Sequence, residues 1–284
     1  MRLLVTGARG LLGAAIVREF RDADLHACSH EELDVADESA VARMVTSIAP
    51  DAIVNCAAYN NVDQAEREAD AALRVNAFGV LSLARAARTA RATLVHYSTD
   101  FVFDGAGDRP YVETDRPNPR GVYAASKLLG EWFAADAPRA YVLRVESLFG
   151  EPGAGATRRG SLGTIVDRIR AGDEVPVFVD RTVSPSFTDD IARATRSVLE
   201  KRPAPGVYHC VNEGFATWAE IAGEAARLLG MSWKMKPLTL ESAALAAPRP
   251  RYCAMSPGKL AEAGIVMPAW EDALARYLHN AGGV

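Results

Sequence analysis

The first thirteen residues constrain the fold more than any other part of the chain. Arg2–Thr6 is an apolar run of the length typical of a buried strand, and Leu11–Phe20 has the apolar spacing of a helix. Between them, glycines stand in a GxxGxxG pattern at Gly7, Gly10 and Gly13. Glycines in a strand–turn–helix unit let the backbone approach a diphosphate, and the helix N-terminus supplies amide donors to it. The segment therefore predicts a dinucleotide-binding turn.

Short apolar runs and helical patterns alternate along the chain to about residue 150. Strands separated by helices predict a parallel sheet that is covered on both faces. The predicted fold class is therefore α/β, with a doubly wound parallel sheet of the Rossmann type. The predicted strands are Arg2–Thr6, Leu25–Ser29, Ala52–Asn55, Thr93–Ser98 and Tyr141–Val145, and the predicted helices are Leu11–Phe20, Glu38–Ile48, Asp70–Ala90 and Tyr123–Ala135.

The composition changes after Phe149. Residues 151–163 are rich in glycine, alanine and arginine and predict a mobile loop, and proline and glycine punctuate the rest. We predict a dinucleotide-binding domain over residues 1–150 and a smaller substrate-binding lobe over residues 151–284, part of which returns to the main sheet. The lobe is predicted to contain strands at Val175–Val179 and Val207–Val211 and helices at Thr188–Lys201, Thr217–Leu229 and Trp270–Leu278.

Charge and cysteine use narrow the possible partners. The net charge is −4, so no broad basic surface for nucleic acid is expected. No apolar run is long enough to span a bilayer, and the N-terminus lacks the pattern of a signal peptide. The four cysteines are scattered without a CxxC pair, which favours reduced thiols over disulfides or zinc. We therefore expect a cytoplasmic protein, monomeric or homodimeric, with no metal and no nucleic-acid or membrane partner.

Tyr123 and Lys127 form a candidate catalytic pair. They lie four residues apart at the start of a predicted helix and so share one face. A nearby ammonium is expected to lower the pKa of the tyrosine toward working pH. Such a phenol can give a proton to a carbonyl oxygen while hydride reaches the carbon. Ser98 and Thr99 end the fourth predicted strand, where a hydroxyl can stabilise the developing alkoxide. The pattern predicts a ketone reductase that uses a nicotinamide cofactor.

The identity of the nicotinamide depends on the end of the second strand. Residues 27–30 contain no carboxylate to bind the ribose hydroxyls, whereas Arg9 in the glycine turn can meet a 2′-phosphate. This favours NADPH. Asp34 is the alternative ribose ligand if the strand ends later, so NADH remains possible.

Several longer motifs resemble the dTDP-4-dehydrorhamnose reductase family of the extended short-chain dehydrogenase/reductase superfamily, and the resemblance covers nearly the whole chain. The resemblance implies that Thr99, Tyr123 and Lys127 are catalytic, that Ala57 and Ala58 line the cofactor cleft and that Asn76 supports the site. It also implies reduction of the 4-keto group of a dTDP-linked 6-deoxy-hexulose by NADPH or NADH. The motifs are NCAAY at 55–59, VDQAE at 62–66, VNA at 75–77, STDFVFDG at 98–105 and YAASK at 123–127.

Together these arguments predict three groups of site residues. Thr99, Tyr123 and Lys127 are the catalytic set. The predicted cofactor-binding residues are Gly7, Arg9, Gly10, Leu11, Leu12, Gly13, Asp34, Val35, Ala57, Ala58, Tyr59, Asn76, Ser98, Tyr123 and Lys127, and the predicted substrate-binding residues are Asp100, Val102, Phe103, Glu146, Arg158 and Arg251.

Three departures from the family lie near the expected substrate. The family commonly has Arg-Thr-Ser-Trp after the fifth strand, where this chain reads RVESLFG from Arg144 and places a carboxylate at Glu146. Gly121 replaces an asparagine before the catalytic tyrosine, and residues 157–162 also differ. A reductase or epimerase of a GDP- or UDP-linked sugar is therefore an alternative. A non-catalytic NADP-binding subunit, similar to the regulatory subunit of methionine adenosyltransferase, is a second one.

Overall fold

A computed structural model describes residues 1–153 and 160–282 of the chain. The strands in these ranges are β1 (Arg2–Thr6), β2 (Asp24–Cys28), β3 (Ala52–Asn55), β4 (Thr93–Thr99), β5 (Arg139–Val145), β6 (Leu148–Phe149), β7 (Glu174–Phe178), β8 (Thr182–Val183), β9 (Ser186–Phe187), β10 (Gly206–His209), β11 (Ala216–Thr217) and β12 (Lys234–Leu238). The α-helices are α1 (Leu11–Glu19), α2 (Glu38–Ile48), α3 (Val62–Ala65), α4 (Ala69–Leu73), α5 (Gly79–Ala90), α6 (Val122–Ala134), α7 (Gly160–Ala171), α8 (Thr188–Lys201), α9 (Trp218–Leu229), α10 (Gly258–Glu262) and α11 (Trp270–Gly282).

A parallel sheet of six strands forms the centre of the molecule, in the order β10-β5-β4-β3-β1-β2. The predicted Rossmann-type α/β fold is confirmed. The chain order reverses at β1, which has β2 on one side and β3 on the other, and ligands of open α/β sheets bind at such a switch point. Register fixes which residues meet there, since Thr6 pairs with Asn55 and Thr99 pairs with Val145. The carboxyl ends of β1, β3, β4 and β5 therefore share one edge.

Apolar layers cover both faces of the sheet. One layer packs α1 and α8 on it through residues such as Ile16, Phe20 and Ile191, and the other packs α2 and α5 on it through residues such as Val41 and Leu83. A separate core beneath β7, α7, α9 and α11 holds the later part of the chain together. Strand β10 leaves this part and pairs with β5, so residues beyond 150 do complete the main sheet. The domain boundary at residue 150 stays a prediction.

Two predicted elements differ from the structure. The helix expected over Asp70–Ala90 is present, but Arg74–Phe78 within it winds as a π-helix between α4 and α5. The loop expected over residues 151–163 is wrong for its last four residues, because α7 begins at Gly160. The glycine-rich composition suggested a loop although the segment also has apolar residues at helical spacing. These residues form the buried face of α7 in the second core and are Leu162, Ile165, Val166 and Ile169.

Two predictions drawn from composition concern the state of the cysteines and the presence of membrane-spanning helices. The four cysteines are free thiols, as predicted. No helix within residues 1–153 and 160–282 is long and apolar enough to cross a membrane.

Candidate active site

The glycine turn presses closely against the end of β3. Gly7 has φ +65°, and a Cβ atom on it would stand 2.6 Å from the amide nitrogen of Ala57. A Cβ atom on Gly13 would stand 2.2 Å from the carbonyl oxygen of Gly7. A side chain at Gly7 would force the turn away from the end of β3, and one at Gly13 would break the close packing of α1 on the turn. Gly10 precedes α1 and offers no side-chain cap, so the first amides of α1 are available to an anion.

A cleft of about 420 Å³ opens beside this turn at the switch point. Leu12 is buried in the core behind it and Leu11 is half-buried, so their contribution to a cofactor site is through the backbone of α1. The predicted cofactor residues that line the cleft are Gly7, Arg9, Gly10, Asp34, Val35, Ala57, Ala58 and Tyr59.

The polar end of the cleft bears on the choice of nicotinamide. Arg9 is largely exposed, with Nη1 lying 3.3 Å from a carboxylate oxygen of Glu31. The guanidinium can therefore exchange this exposed ion pair for a phosphate at little cost. Asp34 accepts a hydrogen bond from the amide of Ala36 at 2.9 Å. Glu31 was missed by sequence analysis, because a lone acidic residue after a strand resembles any solvated surface charge.

Asn76 joins the cleft to the catalytic helix. It lies in the π-helical segment and is 1 % exposed. Its Oδ1 accepts a hydrogen bond from the amide of Tyr59 at 2.9 Å, and its Nδ2 donates to the carbonyl of Tyr59 at 2.9 Å and to Oγ of Ser126 at 3.0 Å. Ser126 in turn donates to the carbonyl of Tyr123 at 2.8 Å. The amide therefore fixes the cleft wall and the first turn of α6 together, and the π-helix places it there.

The N-terminus of α6 is capped from a distant part of the chain. Gly121 at the N-cap makes no side-chain cap, and Oε1 of Glu66 instead accepts the amide hydrogen of Val122 at 2.8 Å. A Cβ atom on Gly121 would stand 2.7 Å from that oxygen. The glycine that replaces the family's asparagine therefore leaves room for Glu66, whose charge also favours the positive end of the helix.

We expect Glu66→Ala to lower the free energy of unfolding by about 1 kcal/mol, the usual loss when a helix cap is removed. Urea unfolding followed by circular dichroism measures it. Glu66→Gln is the matched control because its amide oxygen can still accept the hydrogen bond, so it should lose less. An equal loss in the two variants would show that the acceptor oxygen is not what stabilises α6.

Lys127 lies one turn into α6 and is 3 % exposed. Its Nζ donates a hydrogen bond to the carbonyl oxygen of Tyr97 at 2.6 Å. Burial lowers the pKa of Lys127 to about 8, although the carboxylate of Glu131 opposes this shift. The ammonium is thus held beside the end of β4 and titrates unusually close to neutral pH.

Ser98 and Thr99 point to opposite faces of β4, as neighbouring strand residues must. Oγ of Ser98 donates to Glu131 at 2.5 Å, and Glu131 forms a buried two-point ion pair with Arg144 at 2.9 and 2.8 Å. Thr99 lies on the other face, where its hydroxyl lies close to the phenol of Tyr123 and donates to Oδ1 of Asp100 at 2.9 Å. The structure therefore brings Thr99 to Tyr123, and it engages the hydroxyl of Ser98 elsewhere.

The expected direction of the Tyr123 pKa is wrong. Burial and the nearby carboxylate of Asp100 raise the pKa of Tyr123 to about 12, although the hydrogen bond with Thr99 opposes the shift. The i,i+4 spacing to Lys127 suggested a lowered pKa, but the ammonium is directed to the carbonyl of Tyr97. Desolvation of the phenolate, together with the charge of Asp100, therefore decides the direction of the shift. The phenol is therefore fully protonated at neutral pH.

An aromatic and cationic cluster covers Tyr123. The ring of Phe101 meets the ring of Tyr123 edge-on with centroids 5.6 Å apart. The guanidinium of Arg181 lies 5.3 Å from the Phe101 centroid, and that of Arg249 lies 5.8 Å from it. Arg249 is also paired with Asp63 at 2.7 Å. Arg181 was missed by sequence analysis, since it stands in a proline-rich stretch without a motif.

The predicted substrate-binding residues differ in how far the structure exposes them. Asp100 and Glu146 lie buried next to Tyr123 and the end of β5. Val102 and Phe103 are 0 % and 1 % exposed, so the structure does not bring them to an open surface; Phe103 stacks on Tyr111 instead. The side chain of Arg251 is 75 % exposed, and its ion pair with Asp180 is long, at 3.9 Å. The guanidinium is therefore available to a phosphate. Arg158 lies outside the described residues.

The chain was compared with known proteins. A family model described as "RmlD substrate binding domain" matches residues 1–282. The dTDP-4-dehydrorhamnose reductase of Mycobacterium tuberculosis is 36% identical over 289 residues, which cover 98% of this chain and 92% of that protein. The enzyme of the same name from Streptomyces griseus is 34% identical over 284 residues, with 96% and 91% coverage.

A solved structure agrees over nearly the full length. The dTDP-4-dehydrorhamnose reductase of Bacillus anthracis, solved in complex with NADP, is 31% identical and superposes with a TM-score of 0.91 over 98% of this chain and 99% of that one. With the glycine turn, the switch-point cleft and the Thr99–Tyr123–Lys127 arrangement in place, the chain belongs to the RmlD substrate binding domain family.

Proposed function

We propose that the chain reduces the 4-keto group of a dTDP-linked 6-deoxy-hexulose with NADPH. It is an NAD(P)H-dependent ketoreductase of the nucleotide-sugar class. The observation that carries the proposal is that Thr99, Tyr123 and Lys127 all lie at the carboxyl edge of the sheet, near the cleft of the glycine turn. Its dTDP-sugar class is supported by the dTDP-4-dehydrorhamnose reductases that the chain resembles over 91% and 92% of their length.

The residues around the cleft fit a dinucleotide. Gly7 packs against the end of β3 and Gly13 against the turn itself, with no space for side chains, and the amides at the start of α1 supply donors for a diphosphate. Arg9 supplies a cation for the 2′-phosphate, which favours NADPH while leaving NADH usable. When bound, the cofactor supplies the hydride. The side chains supply the proton and the charge stabilisation.

Tyr123 is the proton donor. Its raised pKa keeps the phenol protonated, so it is ready to protonate the carbonyl oxygen of the sugar. The hydroxyl of Thr99 hydrogen-bonds the same oxygen as negative charge develops on it. Lys127 holds its ammonium at the end of β4 and stabilises the phenolate that remains after proton transfer. The exposed guanidinium of Arg251, in the part of the chain beyond residue 150, binds the diphosphate of the sugar nucleotide.

We expect kcat/KM to fall as the pH rises through about 8, because the buried ammonium of Lys127 loses its proton there and no longer stabilises the phenolate. A pH–rate profile with saturating NADPH measures the midpoint. Lys127→Arg is the control, because arginine stays charged and should move the fall to higher pH. A wild-type profile that stays flat across this range would contradict the role of the ammonium.

NADPH oxidation, followed by absorbance, tests the proposed function directly. The substrate is freshly prepared dTDP-4-keto-6-deoxy-L-lyxo-hexulose, compared with GDP- and UDP-linked 4-keto sugars. We expect turnover with the dTDP sugar. The buried Glu146 at the place of the family's Ser-Trp pair favours a second candidate, the reduction of another nucleotide sugar. A preference for a GDP- or UDP-linked substrate would establish that candidate, and NADPH binding without turnover of any of them would favour a non-catalytic role.

A further inference from the structure

Four side chains with acid–base chemistry converge behind Tyr123. Asp100 directly follows Thr99 at the end of β4, and Glu146 directly follows Val145 at the end of β5. Thr99 and Val145 are partners in the sheet register, so the two carboxyl groups are set side by side. One oxygen of each lies within 4.8 Å of the other and of Sγ of Cys253. Arg181 completes the group, with Nη2 at 3.6 Å from Asp100 and from Cys253.

The charges of this group do not balance if both carboxyl groups are ionised. Asp100 and Glu146 are 3 % and 2 % exposed, and the Arg181 guanidinium gives them only one positive charge. Oδ2 of Asp100 and Oε1 of Glu146 are buried without a hydrogen-bond partner among the described residues. A buried carboxylate oxygen without a donor is strongly unfavourable. A single proton shared by the two groups would bring the net charge of the cluster to zero, as in other close carboxyl pairs.

A bound metal ion is a poorer explanation of the cluster. Asp100, Glu146 and Cys253 offer three ligand atoms of suitable type. The guanidinium of Arg181 already lies beside Asp100 and Cys253, where it would repel a cation. Burial also raises the pKa of the Cys253 thiol, which therefore stays neutral and binds metals weakly.

We propose that Asp100 and Glu146 share one proton at neutral pH and return a proton to Tyr123 through the hydroxyl of Thr99 after each reduction. The inference rests on the proposed ketoreductase function. It makes Glu146 a proton reserve that acts through Asp100 and Thr99, without contact with the reacting carbonyl group. It also gives a role to the carboxylate of Glu146, which lies where the family commonly has the Arg-Thr-Ser-Trp sequence after the fifth strand.

The groups of the route are close neighbours. The hydroxyl of Thr99 donates to Oδ1 of Asp100 at 2.9 Å and lies near enough to the phenol of Tyr123 to oppose the rise of its pKa, and an oxygen of Asp100 lies within 4.8 Å of one of Glu146. After Tyr123 gives its proton to the substrate oxygen, the phenolate takes the hydroxyl proton of Thr99. Thr99 then takes a proton from Asp100, and Asp100 takes one from Glu146. Glu146 recovers its proton from solvent, so each turnover consumes one hydride and one proton.

The surroundings favour the protonated pair. Burial raises the pKa of Asp100, against the opposing effects of Arg181 and Thr99. Burial and the charge of Asp100 raise the pKa of Glu146 well above its ordinary value, although the amide of Ser184, 2.9 Å from Oε2, and the charge of Arg181 oppose the shift. Besides these groups, the phenols of Tyr123 and Tyr252 and the thiol of Cys253 face the pair, and each of them has a raised pKa and is neutral.

Infrared difference spectroscopy tests the shared proton without any catalysis. The wild-type protein, labelled with ¹³C in its aspartate and glutamate carboxyl groups, should show the label-sensitive carbonyl stretch of a protonated carboxylic acid at neutral pH. Glu146→Gln should remove this band, while its amide oxygen can still accept from Ser184. The control Glu224→Gln, whose carboxylate is paired with Arg227 on α9 outside the cluster, should retain it. Absence of the band from the wild-type protein would overturn the proposal, and this test does not require that the variant fold.

Rapid-reaction kinetics tests the relay. In Glu146→Gln, Tyr123 begins protonated, so the first hydride transfer should occur at the wild-type rate. Later turnovers should be slower by at least about 10-fold, since a proton relay contributes on this scale or more. A burst of NADPH oxidation would therefore appear in the variant. Equal slowing of the first and later turnovers would show a structural role and overturn the relay. If the wild-type protein oxidised no NADPH with any sugar nucleotide, the proposed function would fail, whereas the infrared result would still stand.

Discussion

Tyr123→Phe is expected to lower kcat by a factor of ~10²–10⁴, the usual contribution of a positioned general acid. The hydroxyl is the only part of the side chain that is removed, so the edge-on contact with the ring of Phe101, now at 5.6 Å, is preserved. Cofactor binding should change little because the glycine turn and the cleft stay intact. Steady-state NADPH oxidation measures kcat, and quenching of tryptophan fluorescence by NADPH measures binding.

Tyr208→Phe is the matched control for this variant. The phenol of Tyr208 donates a hydrogen bond to the carbonyl of Ala204 at 2.7 Å, in a turn outside the candidate active site. Its removal should cost some stability and leave kcat close to the wild-type value. If Tyr123→Phe retained wild-type turnover, another group would have to supply the proton, and the assignment of Tyr123 would be wrong.

Glu131→Ala is expected to lower the free energy of unfolding by about 3–5 kcal/mol, as breaking a buried ion pair by removing one partner typically does. Both side chains of the pair are 4 % exposed, and Arg144 would be left charged without its two carboxylate contacts. Removing Glu131 also removes the carboxylate that opposes the lowering of the Lys127 pKa. Urea unfolding measures the stability, and the pH–rate profile should move to lower pH.

The exposed pair of Glu38 and Arg85 supplies the comparison. Its atoms lie 3.1 Å apart, but the two side chains are 63% and 55% exposed. Glu38→Ala should therefore cost less than about 1 kcal/mol, because solvent already screens such pairs. Similar losses for Glu131→Ala and Glu38→Ala would mean that the charge of Arg144 reaches water when its partner is removed.

The sequence was most informative where a property depends on neighbouring residues. The strand, glycine turn and helix at the N-terminus follow from local spacing, because each glycine is needed for contacts within the turn or with the next strand. The shared face of Tyr123 and Lys127 follows from helical periodicity, and the parallel arrangement of the central sheet follows from the alternation of elements. The π-helical turn around Asn76 was not predicted, since no local signal distinguishes it from an ordinary α-helix.

Tertiary structure decided the electrostatics of the site. The cap on α6 comes from Glu66, 56 residues before the amide it binds, and Arg181 reaches Asp100 from a separate part of the chain. Such pairs depend on which strand ends meet and on how completely water is excluded there. For this reason the sequence determined which groups are present and on which face they lie. Burial, which sums contacts from the whole fold, determined that the phenol of Tyr123 is held protonated, and the register of β4 against β5 placed Glu146 beside Asp100.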